Sequence, residues 1–234
     1  MNSPFRALLV LLLAIVPYSA RGQARPYTGF VYPAGGQQGT TFAVKAGGQG
    51  LAPVTNIEVT GKGVTARVVE TFKRIGPQEI TLLRDQLKEL KDANKTPDAA
   101  TTKLMARIEK RIEEYSNRPA SAALADLVFL EVTIAPDAAP GRREIRLVTP
   151  AGITNPLAFH VGQLPESTRK PMLTAPFQVL GKEELSLRKR PEEEVEYRVT
   201  PPCTVNGQIA SGEVNRYRFE ARKGVLLCGG AINS

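Results

Sequence analysis

The chain has no tryptophan, one histidine and two cysteines in 234 residues, and aromatic side chains make up only 6% of it. Each shortage narrows the available chemistry. With His160 alone, and Cys203 and Cys228 far from it in sequence, a zinc site of ordinary ligands is not expected. A Ser-His-Asp triad would have to use His160. No Gly-x-Ser-x-Gly turn is present to lift a serine nucleophile from a strand end. His160 alternates with Phe159 and Val161, so it is expected to face solvent. Gly-Lys-Ser/Thr is also missing after the glycine clusters at Gly35-Gly36 and Gly47-Gly48. Those glycines lie among short extended segments and read as turns, not as a cradle for phosphate. The acids of the two helical stretches alternate with Lys and Arg at i, i+4 spacing, which is surface ion pairing. No catalytic, cofactor-binding or metal-binding residue is therefore assigned, no cofactor is expected, and the chain reads as not an enzyme.

Long apolar runs are scarce as well. The one present, Ala7 to Val16, follows Arg6 and stops at Pro17, short of the roughly 20 residues that a membrane span needs. Gly22 and Ala24 supply small residues behind it, so residues 1–24 read as a secretory signal cut after Ala24. The remainder is expected to be exported, to the periplasm, the cell surface or the medium, and not to span a membrane once the signal is removed. Loss of Arg6 and Arg21, with no acid, lowers the net charge by two, from +8 to +6. That charge is dispersed: Arg188-Lys189-Arg190 is followed by Glu192-Glu193-Glu194. Nucleic acid, which calls for an uncompensated basic face, is not an expected partner; an unidentified protein or glycan is. Export permits a disulfide, but one pair of cysteines leaves the Cys203–Cys228 question open.

What remains is enough for a core, since 42% of the residues are hydrophobic. The clearest pattern runs from Asp137 to Gly162, where Ile145 and Leu147, then Leu157, Phe159 and Val161, alternate with polar neighbours across Thr149-Pro150-Ala151-Gly152. This predicts two strands and a turn. Thr41 to Lys45 is another strand, with Gly47 to Gly50 as a turn. Ile57 to Thr60 and Val64 to Val69 stand at hairpin spacing across Gly61-Lys62-Gly63. In Leu127 to Ile134 one face carries Val128, Leu130, Val132 and Ile134, while Leu127 and Phe129 make the other face apolar at one end.

Between these strands the period changes. Leu82, Leu83, Leu87 and Leu90, then Leu104, Ile108 and Ile112, recur at helical spacing. They predict a helical hairpin inserted at about 77–117, covering Leu127 and Phe129. Residues 163–202 are rich in proline and charge and read as a linker. Residues 203–234 offer two further strand patterns, at Cys203 to Ile209 and Val214 to Glu220, too few to bury a core.

Tyr32-Pro33-Ala34-Gly35-Gly36, Gly39-Thr40-Thr41, Gly47-Gly48, Pro140-Gly141, Gly152, Asn155-Pro156-Leu157 and Phe159 to Val161 resemble the immunoglobulin-like IPT/TIG pattern. Val205 to Ile209, Gly212, Arg216 to Phe219 and Ala221 to Gly224 are similar to the opening of a bacterial pre-peptidase C-terminal domain. The resemblance implies a mainly β protein: an Ig-like β-sandwich over 25–162 with an inserted α-helical hairpin, then a linker and a truncated second β-sandwich over 203–234. It implies a non-catalytic interaction or spacer protein, or else the accessory region of a secreted hydrolase, a peptidase, whose catalytic part is not in this chain. A shifted or interrupted reading frame would account for the unpatterned tail after Gly224.

Overall fold

The computed structural model describes residues 25–93, 96–118, 121–170, 196–209 and 214–224. The signal segment, most of the linker and Cys228 lie outside the described residues. Among those described, the chain is mainly β, with two α-helices.

Alternation builds two facing sheets. The first contains β1 (Tyr27–Tyr32), β3 (Thr41–Gln49), β6 (Asp126–Ile134) and β5 (Val64–Phe72), in the order β1-β3-β6-β5 and antiparallel throughout. The second contains β2 (Gly35–Gln37), β9 (Leu157–Gly162), β7 (Gly141–Thr149) and β4 (Asn56–Val59), with β8 (Gly152–Ile153) folding back onto β7. Here β2 runs parallel to β9, and the other pairs are antiparallel. Val44, Val128, Leu130, Val132 and Ile134 of the first sheet pack on Ile145, Leu147, Phe159 and Val161 of the second. The Phe42 ring lies parallel to Phe159, with centroids 6.4 Å apart. The strand pair at Asp137 to Gly162 is thus β7 and β9, with its apolar set in the core as expected.

The strand neighbours and the glycine clusters differ from expectation. The segments around Gly61-Lys62-Gly63 are not a hairpin: β4 pairs with β7 and β5 with β6, so the chain crosses between sheets there. Periodicity reports which face of a strand is buried, not which strand lies beside it. Gly61 and Gly63, at φ of 82° and 85°, allow the crossing. Gly47 and Gly48 are strand residues, not turn residues. A Cβ on Gly47 would run into the Phe30 ring, and one on Gly48 into the Tyr27 carbonyl, so they are glycines because β1 comes so close. Gly35 and Gly36 likewise belong to β2.

The helices are α1 (Pro77–Ala93) and α2 (Ala99–Ser116). Glu79 accepts a hydrogen bond from Gly76 N at 2.7 Å, and the Asp98 carboxylate caps α2 by accepting from Thr101 N at 2.7 Å. That bond holds the Asp98 carboxyl below its usual pKa. Ile80 and Ile108 are buried, but Leu82 and Leu104 are 68% and 42% exposed, so the predicted stripe is too wide. Leu104 precedes Arg107, the first residue of α2 bonded to the sheet, and at that level of the hairpin a helix has little but its partner to pack on.

Beyond the sandwich, β10 (Glu166–Thr168) and β12 (Thr204–Asn206) pair in parallel, as do β11 (Tyr197–Arg198) and β13 (Tyr217–Arg218). The late segments therefore pair with strands inside the stretch read as a linker, not with each other.

Core burial sets the first prediction. Phe159→Ala, at a site 0% exposed, is expected to cost about 3–5 kcal/mol in urea unfolding. Ile153→Ala, at 57% exposure, is expected to stay within about 0.5 kcal/mol of the parent.

Candidate interaction surface

The outer face of the first sheet changes character along β6. Cross-strand rows there read Thr41, Thr133, Thr65; then Ala43, Glu131, Arg67; then Lys45, Phe129, Glu70; then Gly47, Leu127, Phe72. The face is polar at one end and apolar at the other. A bulge between Val68 and Glu70 creates this arrangement. Val64, Ala66 and Val68 pack towards the core. Strict alternation would send Glu70 there too, and the extra residue Val69 turns Glu70 and Phe72 outward.

The hairpin covers the apolar end, as expected, but does so largely with charge. Lys110 Nζ stands 3.7 Å from the Phe129 ring centroid, with Lys45 Nζ at 5.8 Å. Phe72 meets Phe129 edge-on at 5.3 Å. Glu70 accepts from Arg107 Nε at 2.8 Å and Lys110 Nζ at 3.1 Å. Glu114 pairs with Lys45. The Glu70 side chain is only 18% exposed, so water screens these pairs less than it would at an open surface.

Where α2 ends and β6 begins, a cleft of about 30 Å³ opens at the hairpin root. Its walls include Phe72, Ile75, Tyr115 and Leu127, and its cations are Lys73, Arg74, Arg111 and Arg118. Arg111 lies over Phe72 at 5.3 Å and donates to the Lys73 carbonyl at 3.4 Å. Arg118 stacks on Tyr115 at 4.1 Å and donates to its carbonyl at 2.7 Å. Asp126 fixes the floor: its carboxylate accepts from the backbone of Arg74 at 2.9 Å and of Gly50 at 2.8 Å. Glu114, the acid in the lining, is already paired with Lys45. A space this size admits about one water, against several hundred Å³ for a typical small-molecule pocket. What the cleft offers is a charged rim around an apolar floor.

A second polar cluster joins the later strands to the sandwich. Arg169, 3% exposed, donates to the Arg216 carbonyl at 3.4 Å and lies 5.9 Å from the Tyr217 ring. The Tyr32 hydroxyl donates to the Arg169 carbonyl and lies 3.2 Å from that of Asn206. Burial, and then Tyr217 and Tyr197, push the Tyr32 phenol well above its ordinary pKa, against the opposing pull of Arg169; it remains a donor. Ser167 and Tyr197 share a hydroxyl bond at 2.9 Å, and Asn206 donates to Glu166.

His160 is not solvent-facing. It is half-buried, and its Nε2 is enclosed without a hydrogen-bond partner. Its strand β9 lies between β2 and β7, beside Gly35 and Arg142, and an inner strand shields its residues on both flanks. Among the described residues, no three His, Cys, Asp or Glu side chains converge as metal ligands would, and no helix is long and apolar enough to cross a membrane. Sequence reasoning missed the cations of the cleft, which fall in the link before α1 and at the end of α2. Neither a family model nor a curated protein matches the chain.

Glu166 yields a pH prediction. Burial raises its carboxyl above the usual 4.5, and the Asn206 bond only partly opposes this. A raised carboxyl binds its proton more tightly in the folded state. Its contribution to stability is then fullest below pH 4.5 and falls as pH rises through the folded-state value. Glu166→Gln is expected to raise stability at pH 7 and to flatten that fall, measured by urea unfolding across the acidic range. A fall of unchanged steepness would assign it to other groups.

Proposed function

We propose that this chain is a non-catalytic, exported interaction module: an Ig-like sandwich of the IPT/TIG type carrying a helical hairpin, followed by a segment like the opening of a pre-peptidase domain. The observation that carries the proposal is the hairpin root. An apolar floor ringed by cations, in a space too small for a typical small-molecule substrate, suits a surface that meets another macromolecule. The sandwich supplies the rigid base. The bulge at Val69 and the Phe129 row fix where α2 lands, and with it where Arg111 and Arg118 stand.

The export reading rests on Arg6, the Ala7 to Val16 run and the small residues before Arg25. The family reading rests on the Tyr32-Pro33 and Asn155-Pro156 corners and on the glycines around them. Both serve one picture, a β-sandwich outside the cytoplasm presenting a hairpin to a partner.

A photo-crosslinking amino acid placed at Lys73 or Arg118, in the cell that makes the protein, is expected to give a discrete covalent adduct. The same group at Lys62, on the crossing between the sheets, is expected to give none. Absence of adducts from both root positions, or equal adducts from all three, contradicts the proposal.

A further inference from the structure

We infer that the hairpin root takes an acidic segment of a partner protein, with one aliphatic side chain seated on the apolar floor. This rests on the interaction-module reading and names the partner's chemistry. Elsewhere on the hairpin, Lys91 pairs with Glu109, and Arg107 and Lys110 with Glu70, while Arg84, Lys88 and Lys103 have no ion pair among the described residues but lie outside the cleft. The root differs in gathering four cations, Lys73, Arg74, Arg111 and Arg118, round one opening. Lys73 and Arg74 have exposed side chains without an ion pair among the described residues. Arg111 and Arg118 are each held over an aromatic ring and tied to a backbone carbonyl, and neither bond neutralises their charge. Of the nearby carboxylates, Glu114 is paired with Lys45, and Asp126, bonded to backbone amides, keeps its charge but is outnumbered by the four cations of the root. A guanidinium fixed in place loses little freedom on meeting a carboxylate, and its planar fork matches that group's two oxygens.

The floor selects among anions. Phe72 and Leu127 lie on the outer face of the sheet, buried under the hairpin, and the opening above them is about 30 Å³, a shallow seat for the methyl tip of one aliphatic side chain. A sulfated glycan would meet the cations but leave the floor unfilled. An anionic membrane would favour an extended basic face over cations gathered round a concave opening. An acidic peptide with one Leu or Val satisfies both features: carboxylates give orientation and encounter rate, and the apolar anchor gives residence.

The test uses purified exported chain and a fluorescein-labelled peptide of Asp and Glu with one central Leu, read by anisotropy. Lys73→Glu combined with Arg74→Glu is expected to weaken binding about tenfold or more, since charge reversal makes contacts repulsive. Both side chains are exposed, so circular dichroism should be unchanged; Arg118→Glu is the second variant, and Lys62→Glu should bind as the parent does. Raising salt from about 50 to 200 mM should weaken binding several-fold, as should replacing the central Leu by Ser. Binding indifferent to the root variants overturns the inference. So does a sulfated glycan or an anionic vesicle that binds more tightly with the same residue dependence. If adducts form at Lys73 but the peptide does not bind, the acidic-peptide assignment fails and the interaction module stands. If neither occurs, both fail.

Discussion

Strand β6 has to be covered on both sides. Val128, Leu130, Val132 and Ile134 on one face require the second sheet, and Leu127 and Phe129 on the other require something else. A sandwich strand normally turns a polar face to water, and β6 does so only from Glu131 onward. The hairpin answers that need. Its position follows from Phe129, because Lys110 stands over the ring and Glu70, in the same cross-strand row, holds Lys110 and Arg107. The cluster is cooperative in the plain sense that each partner fixes another. Phe129 and Phe72 share an edge contact, Lys45 reaches both Phe129 and Glu114, and Glu114 belongs to α2.

The root cleft is a consequence of this anchoring. Once α2 is fixed over Phe129, its last two turns and the residues just after them bring Arg111, Tyr115 and Arg118 beside the start of β6 and the link from β5. Asp126 then holds that link by its backbone, accepting from Arg74 as well as from Gly50. The later strands are held on different terms. Tyr32 and Arg169 make a buried polar junction satisfied mostly by backbone carbonyls. Such a junction specifies geometry well, because leaving any member unpaired would be costly.

Much of this was legible in the sequence. The alternation of Val128 to Ile134 and of Leu157 to Val161 gave the core faces, and the outward-facing apolar pair Leu127 and Phe129 gave the hairpin its place. Strand neighbours were not legible, because alternation is local and pairing is not; β4 and β5 looked like a hairpin for that reason. Glycine misled in the same way. Gly47 and Gly48 are dictated by the approach of Phe30 and Tyr27, which no window around them reveals. The bulge at Val69 did leave a trace: two adjacent apolar residues and then Glu70 on the inward parity. The cations of the cleft were hardest to see, since Lys73 and Arg118 are far apart in sequence and meet only after the hairpin is docked.

The central claim is that Phe129 anchors the hairpin to the sandwich, and hydrogen exchange tests it directly. Phe129→Thr keeps a strand-forming residue but removes the ring. The lost edge contact is worth about 0.5–1.5 kcal/mol and the lost cation contact about 0.5–2 kcal/mol. Amides of α2 are then expected to exchange roughly tenfold to a hundredfold faster, since about 1.4 kcal/mol is a factor of ten, while those of β7 and β9 keep their protection. Unchanged protection across Ala99–Ser116 would contradict the account, as would a loss of protection that began in the sandwich.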